Sequence, residues 1–239
     1  MGGDGPREAA EAAHGGADLL RGAVEGLGAR LCGDSCAVVV RPYYTPANSL
    51  GGPPSTGNWI CVADLATDTV ELVVGEWVSA VDLSGDLVVA GTAGGEVHLW
   101  TRSGAPVWGF PAHEGLVLDL RICGEWLFTC GVDRMVRSWQ LRTGIARRAF
   151  GPFAGPVTGL HVRGRLLVTA AEDQCVTVFD RYDGRELARF DDDVAVTRAV
   201  ALGDDLATFA AGGMSGFLHV LRANGPLRAR FGASPGTDA

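Results

Sequence analysis

The chain is 239 residues long, and its 20 basic side chains, all arginine, face 28 acidic ones for a net charge of −8. Without lysine it can carry neither a Gly-Lys-Ser/Thr phosphate loop nor Schiff-base chemistry, and an acidic surface gains little from a nucleic-acid backbone. Hydrophobic residues make up 47% of the sequence, enough for a sizeable core.

Residues 1–21 are rich in Gly, Ala and acidic groups and read as a flexible N-terminal segment without the basic flank and apolar stretch of a secretory signal. The next region, 22–231, divides into five similar units at about 22–74, 75–110, 111–150, 151–190 and 191–231, and 232–239 reads as a flexible tail. The first unit is degenerate: residues 24–27, 37–40, 59–64 and 70–74 have strand character, with a Pro/Gly/Ser/Asn-rich insertion over 42–57. The second has alternating runs at 78–81, 87–90, 97–100 and 106–110, split by Ser84-Gly85, Gly94-Gly95 and Ser103-Gly104. The third repeats the plan at 117–120, 126–129, 136–139 and 146–150, with turns at Gly124-Glu125, Asp133-Arg134 and Thr143-Gly144. The fourth falls in register with it, and the fifth has runs at 197–202, 206–210, 217–221 and 227–231. Four short runs separated by Gly/Asp turns predict a four-stranded antiparallel meander.

Trp100 returns as Trp139 and then as an aromatic at Phe179, at spacings of 39 and 40 residues. A period of about 40 residues with four strands per repeat predicts an all-β chain, a β-propeller of about five four-stranded antiparallel blades. One such sheet has two unsealed faces and needs neighbours to bury them.

Candidate chemistry is sparse. The six cysteines sit mostly among strand aliphatics without a Cys-x-x-Cys, which predicts buried thiols and no metal site. His98, His161 and His219 fall in predicted strands at no ligand spacing, and His113-Glu114 has no second histidine four residues on. The Gly-x-Ser-x-Gly elbow is absent. No cofactor is expected. No apolar run reaches the roughly 20 residues of a membrane span, and a reducing compartment, cytoplasmic or nuclear, is the expectation.

Around Trp139 the chain resembles the WD-repeat (WD40) family, well over 75–231 and weakly over 22–74. The residues that carry the likeness are His113 before the third unit, Thr129 in its second strand, Asp133 in its tight turn and Trp139 in its third strand. The resemblance implies a structural relay from indole N–H through hydroxyl and imidazole to carboxylate. The fourth unit keeps Thr169 and Asp173 but has Phe153 and Phe179 at the His and Trp positions, so an aromatic pair is expected there; the second keeps Trp100 but has Ala90 and Gly94. The short first-to-second strand links resemble the compact repeats of F-box/WD proteins, although no F-box-like segment precedes them. Trp139-Gln-Leu-Arg142 partly resembles a Trp-Asp-x-Arg motif that docks WD proteins onto ubiquitin-ligase adaptors, with Gln140 in place of Asp.

These readings point to a non-enzymatic protein–protein interaction scaffold or adaptor, as part of a larger complex such as a ubiquitin-ligase substrate receptor. Its partners are expected to be proteins or peptides, not nucleic acid or membrane. The expected partner surface is the rim of lead-in loops and second turns: Trp77, Glu114, Arg134, Phe153, Glu172, Asp192 and Met214, residue types that anchor interfaces, with the core as the alternative place for Phe153. The opposite rim collects Arg165, Asp183 and Asp205, and Arg142, Arg147 and Arg148 read as solvated charges near a turn. The alternative is a glycoside hydrolase or sugar-binding propeller using channel carboxylates, with Glu25, Asp82 and Asp119 as candidates. The ragged first unit also fits a piece of a larger propeller.

Overall fold

A computed structural model describes residues 24–32, 35–42, 58–64, 69–190, 197–203, 208–213, 217–222 and 229–232. Among these residues there is no helix, and every strand belongs to a four-stranded antiparallel meander. The first sheet comprises β1 (Val24–Cys32), β2 (Ser35–Pro42), β3 (Asn58–Asp64) and β4 (Thr69–Glu76). The second comprises β5 (Val78–Ser84), β6 (Leu87–Thr92), β7 (Glu96–Thr101) and β8 (Pro106–Pro111). The third holds β9 (Val117–Cys123), β10 (Trp126–Gly131), β11 (Val136–Gln140) and β12 (Ala146–Phe150). The fourth holds β13 (Val157–Arg163), β14 (Leu166–Ala171), β15 (Val176–Asp180) and β16 (Glu186–Phe190). The fifth holds β17 (Thr197–Leu202), β18 (Thr208–Gly213), β19 (Phe217–Arg222) and β20 (Ala229–Gly232).

Each strand's composition follows from its place in the sheet. Second strands are covered on both faces, so β10 and β14 are almost wholly buried and read as near-continuous apolar runs. Fourth strands form the edge: β12 is exposed except at Phe150, and its Arg147 and Arg148 guard that edge against pairing with another chain. Every first strand slips register by one residue near its start, between Gly26 and Gly28, Val78 and Ala80, Val157 and Gly159, and Thr197 and Ala199; in the third sheet the slip lies opposite Cys130 and Gly131. Such bulges bend the strand and sharpen its twist. Two bulged residues satisfy the opposite carbonyl by hydroxyl: Ser79 Oγ donates to Gly91 O at 3.1 Å and Thr158 Oγ1 to Ala170 O at 3.3 Å.

The chain forms two compact units, Met1–Pro111 and Ala112–Ala239. In the first unit β1 lies beside β5, and Ile60, Val62, Val78, Val81 and Val88 share one apolar cluster with half-buried Trp100 against it. In the second unit the first strands β9, β13 and β17 are neighbours in turn. Phe128, Val136 and Phe150 of the third sheet pack with Phe153, Leu160, Leu167 and Phe179. Val168, Val176 and Val178 of the fourth pack with Val200 and Ala211 of the fifth. Each such buried side chain is worth roughly 1.5–3 kcal/mol, so sheet-on-sheet burial is what makes each meander stable.

The second strand of the first unit reaches Pro42, one residue into the expected insertion; 43–57 lie outside the described residues, as do 1–23 and 233–239.

Candidate functional site

The densest polar cluster sits where the loop before β9 meets the turn between β10 and β11. The register sets Thr129 opposite Arg137 and Leu127 opposite Trp139, which brings the turn and both strands under the loop that carries His113. Trp139 Nε1–H donates to Thr129 Oγ1 at 2.9 Å. Thr129 Oγ1 lies 2.8 Å from His113 Nε2, and His113 Nδ1 lies 2.9 Å from Asp133 Oδ1. The carboxylate can only accept, so Nδ1 carries the proton, Nε2 accepts from the threonine, and every donor in the chain has a partner. His113, Thr129 and Trp139 are all buried.

The carboxylate of Asp133 ties down backbone as well, accepting from Glu114 N at 3.3 Å and Met135 N at 3.2 Å. Two further residues complete the cluster, neither of them singled out from the sequence. Arg137 Nη1 donates to Asp133 Oδ2 at 2.5 Å and stands 2.8 Å from His113 Nδ1. Gly131 makes room for the ring: a Cβ there would meet Leu116 O at 2.8 Å and His113 Nδ1 at 3.1 Å. The spacing Asp133-x-x-x-Arg137 was the only sequence signal for the first; nothing short of the fold marks the second.

Burial drives the His113 pKa below its ordinary value, against the pull of Asp133, and the neighbouring Arg137 cation adds to the depression. Burial works to raise Asp133, but hydrogen bonds from His113 and Arg137 outweigh it and hold the carboxyl below its usual range. A buried imidazole held between a hydroxyl and a carboxylate ties the lead-in loop to the turn.

In the fourth sheet the same loop-to-turn clamp survives without the relay. Asp173 accepts from Ala154 N at 3.1 Å and Cys175 N at 3.0 Å, at the positions equivalent to Glu114 and Met135. Phe153 packs edge-on to Phe179 at 5.9 Å, and Phe150 joins them at 5.4 Å. Phe153 is only 6% exposed, which takes it off the partner rim and bears out the core alternative: the aromatic that replaces histidine keeps the histidine's buried place. In the second sheet Trp100 stacks on His98 at 5.5 Å, and His98 meets Glu96 at 3.0 Å.

The other rim candidates divide. Glu114, Arg134 and Glu172 are exposed on lead-in loops and second turns of the second unit, and Trp77, 63% exposed, precedes β5 in the first unit. Asp192 and Met214 lie outside the described residues. A repeated hydrogen bond joins second turn to lead-in loop in three sheets: Ala93 N to Trp77 O at 2.7 Å, Val132 N to Leu116 O at 3.1 Å, and Glu172 N to Pro156 O at 2.9 Å. Phe153 N donates to Arg134 O at 3.0 Å, linking the third sheet's turn to the fourth sheet's loop. At the tip of each second turn one residue is left-handed: Gly95 (φ 90°), Arg134 (φ 63°) and Gln174 (φ 67°). Glycine takes that conformation freely; the two others do so at a cost of about 1–2 kcal/mol.

Of the carboxylates considered for hydrolysis, Asp119 pairs with Arg121 and accepts from Leu160 N at 3.1 Å, stitching β9 to β13. Asp82 is buried within the first unit, and the Glu25 side chain lies outside the described residues. Burial holds the Cys130 thiol well above its ordinary pKa, so it stays protonated and inert. Among the described residues no group of His, Cys, Asp and Glu could hold a metal ion.

Residues 104–140, which contain the whole relay, match the family model "WD domain, G-beta repeat". No curated protein sequence matches the chain. Among solved structures it is similar to the computationally designed Ika8 protein, at 18% identity and a TM-score of 0.68, over 83% of this chain and 58% of that one. The designed Ika4 protein is similar at 22% identity and 0.57, over 61% of this chain and 90% of that one. A chain from the mitotic checkpoint complex is similar at 13% identity and 0.72, over 88% of this chain and 66% of that one. This chain thus spans little over half the length of Ika8, and at these identities the likeness is one of fold alone. Residues 104–140 thus form a WD repeat that carries the whole relay, and the four-stranded antiparallel meanders around it have the organisation of β-propeller blades.

Proposed function

We propose that the chain is a non-enzymatic scaffold that binds proteins or peptides through the loop edge carrying Glu114, Arg134 and Glu172, with Trp77 on the corresponding loop of the first unit. The observation that carries this reading is Arg134. It holds a left-handed backbone that Gly95 holds without strain in the second sheet, and among the described residues its guanidinium has no partner. A charged side chain kept at a conformational cost, with no polar partner among the described residues, is explained by a partner outside them. The polar residues best suited to chemistry are consumed by the relay, and WD repeats are typically non-enzymatic. A place in a larger assembly, such as a substrate receptor of a ubiquitin ligase in cytoplasm or nucleus, is one setting for this role, with exposed Arg142 of the Trp139–Arg142 stretch as its adaptor contact.

Affinity purification from a native extract with quantitative mass spectrometry tests the loop edge. The wild-type chain is expected to enrich a defined set of proteins. Glu114→Ala/Arg134→Ala/Glu172→Ala is expected to lose that set with an unchanged melting temperature; undiminished enrichment rules out the loop edge as the partner surface.

A further inference from the structure

The register puts Arg121, Phe128, Ser138 and Arg148 in one row across the third sheet, and Trp126, two residues from Phe128, shares their face. That face meets the turn after β15. Arg148 Nη2 donates to Tyr182 O at 3.0 Å, and Arg181 Nη1 donates to Cys123 Sγ at 3.0 Å. Between sheet and turn lies a groove of about 190 Å³ whose walls include Trp126, Ser138, Arg147, Arg148, Arg181 and Tyr182. The Arg147 guanidinium covers the Trp126 ring at 5.5 Å. The Arg181 guanidinium covers the Tyr182 ring at 4.7 Å and donates to its hydroxyl at 2.7 Å.

Of the three arginines read from sequence as solvated, Arg147 and Arg148 therefore converge with Arg181, 33 residues beyond Arg148, while Arg142 stays outside the groove. Among the described residues no carboxylate pairs with any of these three guanidiniums, although the chain has eight more acids than bases. Arg165 shows the contrast: its guanidinium is paired with Asp180 and lies 3.8 Å from Asp183. Arg181 Nε is moreover buried without a hydrogen-bond partner.

We propose that this groove binds a phosphorylated side chain of a partner protein. Three uncompensated guanidiniums call for more than the single charge of a carboxylate. A phosphate monoester brings close to two negative charges and three acceptor oxygens, and guanidinium forks grip such oxygens in pairs. Tyr182 adds a hydroxyl, and the aromatic walls suit the carbon stem that carries the phosphate. A groove of about 190 Å³ suits one side chain rather than the long basic track that nucleic acid requires.

The test is fluorescence anisotropy of the full chain with labelled peptides of mixed flanking sequence, each bearing one phosphoserine, phosphothreonine or phosphotyrosine, beside unphosphorylated counterparts and with inorganic phosphate as competitor. At least one phosphorylated class is expected to bind about tenfold or more tightly than its counterpart. Arg147→Gln/Arg148→Gln is expected to abolish that preference, and Arg189→Gln, an arginine paired with Glu186 outside the groove, to leave it intact. Arg147→Gln alone, at an exposed residue that covers the Trp126 ring, serves if the double variant does not fold. Equal binding of phosphorylated and plain peptides, a preference insensitive to the arginine variants, or inorganic phosphate competing as strongly as the peptides would each overturn the proposal.

Discussion

Thr129 is the pivot of the relay, because its one hydroxyl accepts from the indole and donates to the imidazole. Thr129→Val keeps the shape but leaves the Trp139 N–H and the His113 ring nitrogen buried and unpaired. It should cost about 2–4 kcal/mol in urea denaturation, since each orphaned group costs about 1–3 kcal/mol. Thr169→Val, at the equivalent place in a blade whose partners are phenylalanines, removes only a 3.3 Å bond to Thr177 O and should cost less than half as much. Similar losses for the two variants would mean that the relay adds nothing beyond packing. The His113 ring sets a pH dependence of definite sign. Its folded pKa is depressed from 6.5, so the unfolded chain takes up the proton first. The contribution is complete above about 6.5 and is lost progressively as pH falls below it through the folded value. Asp133, also depressed, adds a second loss that begins below about 3.8. Nitrogen-15 NMR at pH 6 should find His113 neutral and protonated on Nδ1; an imidazolium there contradicts the assigned hydrogen bonds.

At the scale of the element, the second turn is where stability and exposure conflict. Gly95 occupies the left-handed site in the second sheet, whereas Arg134 and Gln174 occupy it in the third and fourth. Arg134→Gly should raise stability by about 0.5–1.5 kcal/mol by relieving the backbone, while weakening the capture of loop-edge partners. A destabilised glycine variant would show that the arginine side chain supports its own turn. The meanders themselves were legible because alternation and Gly/Asp turns are local properties: every expected run of the second to fourth units lies in a strand. The bulges were not legible, because a slipped register depends on which residues face each other across strands. The exchange of a polar relay for three phenylalanines was half legible. The aromatic substitution shows in the chain, but the burial of Phe153 requires Phe150 and Phe179 to close over it.

At the scale of the whole molecule, stability resides between sheets. The apolar cluster of Phe128, Val136 and Phe150 is completed by Leu160, Leu167 and Phe179 from the fourth sheet. An isolated segment 112–150 loses most of that cluster and should be unfolded by circular dichroism even though it contains the entire relay. A cooperatively folded 112–150 would show that hydrogen bonds within one blade suffice. The same dependence on neighbours explains the groove of Arg147, Arg148 and Arg181, which exists only where two sheets meet.

From the order of residues alone come the period and the four-stranded units, because strand alternation and turn chemistry act over a few residues; the members of the relay came from the resemblance to WD repeats. Tertiary packing decided the rest: that Phe153 takes the core rather than the rim, that Gly131 and Arg137 complete the relay, and that three arginines converge on one groove. Those outcomes depend on which side chains meet across separate sheets, and burial and charge compensation are properties of that meeting rather than of any stretch of chain.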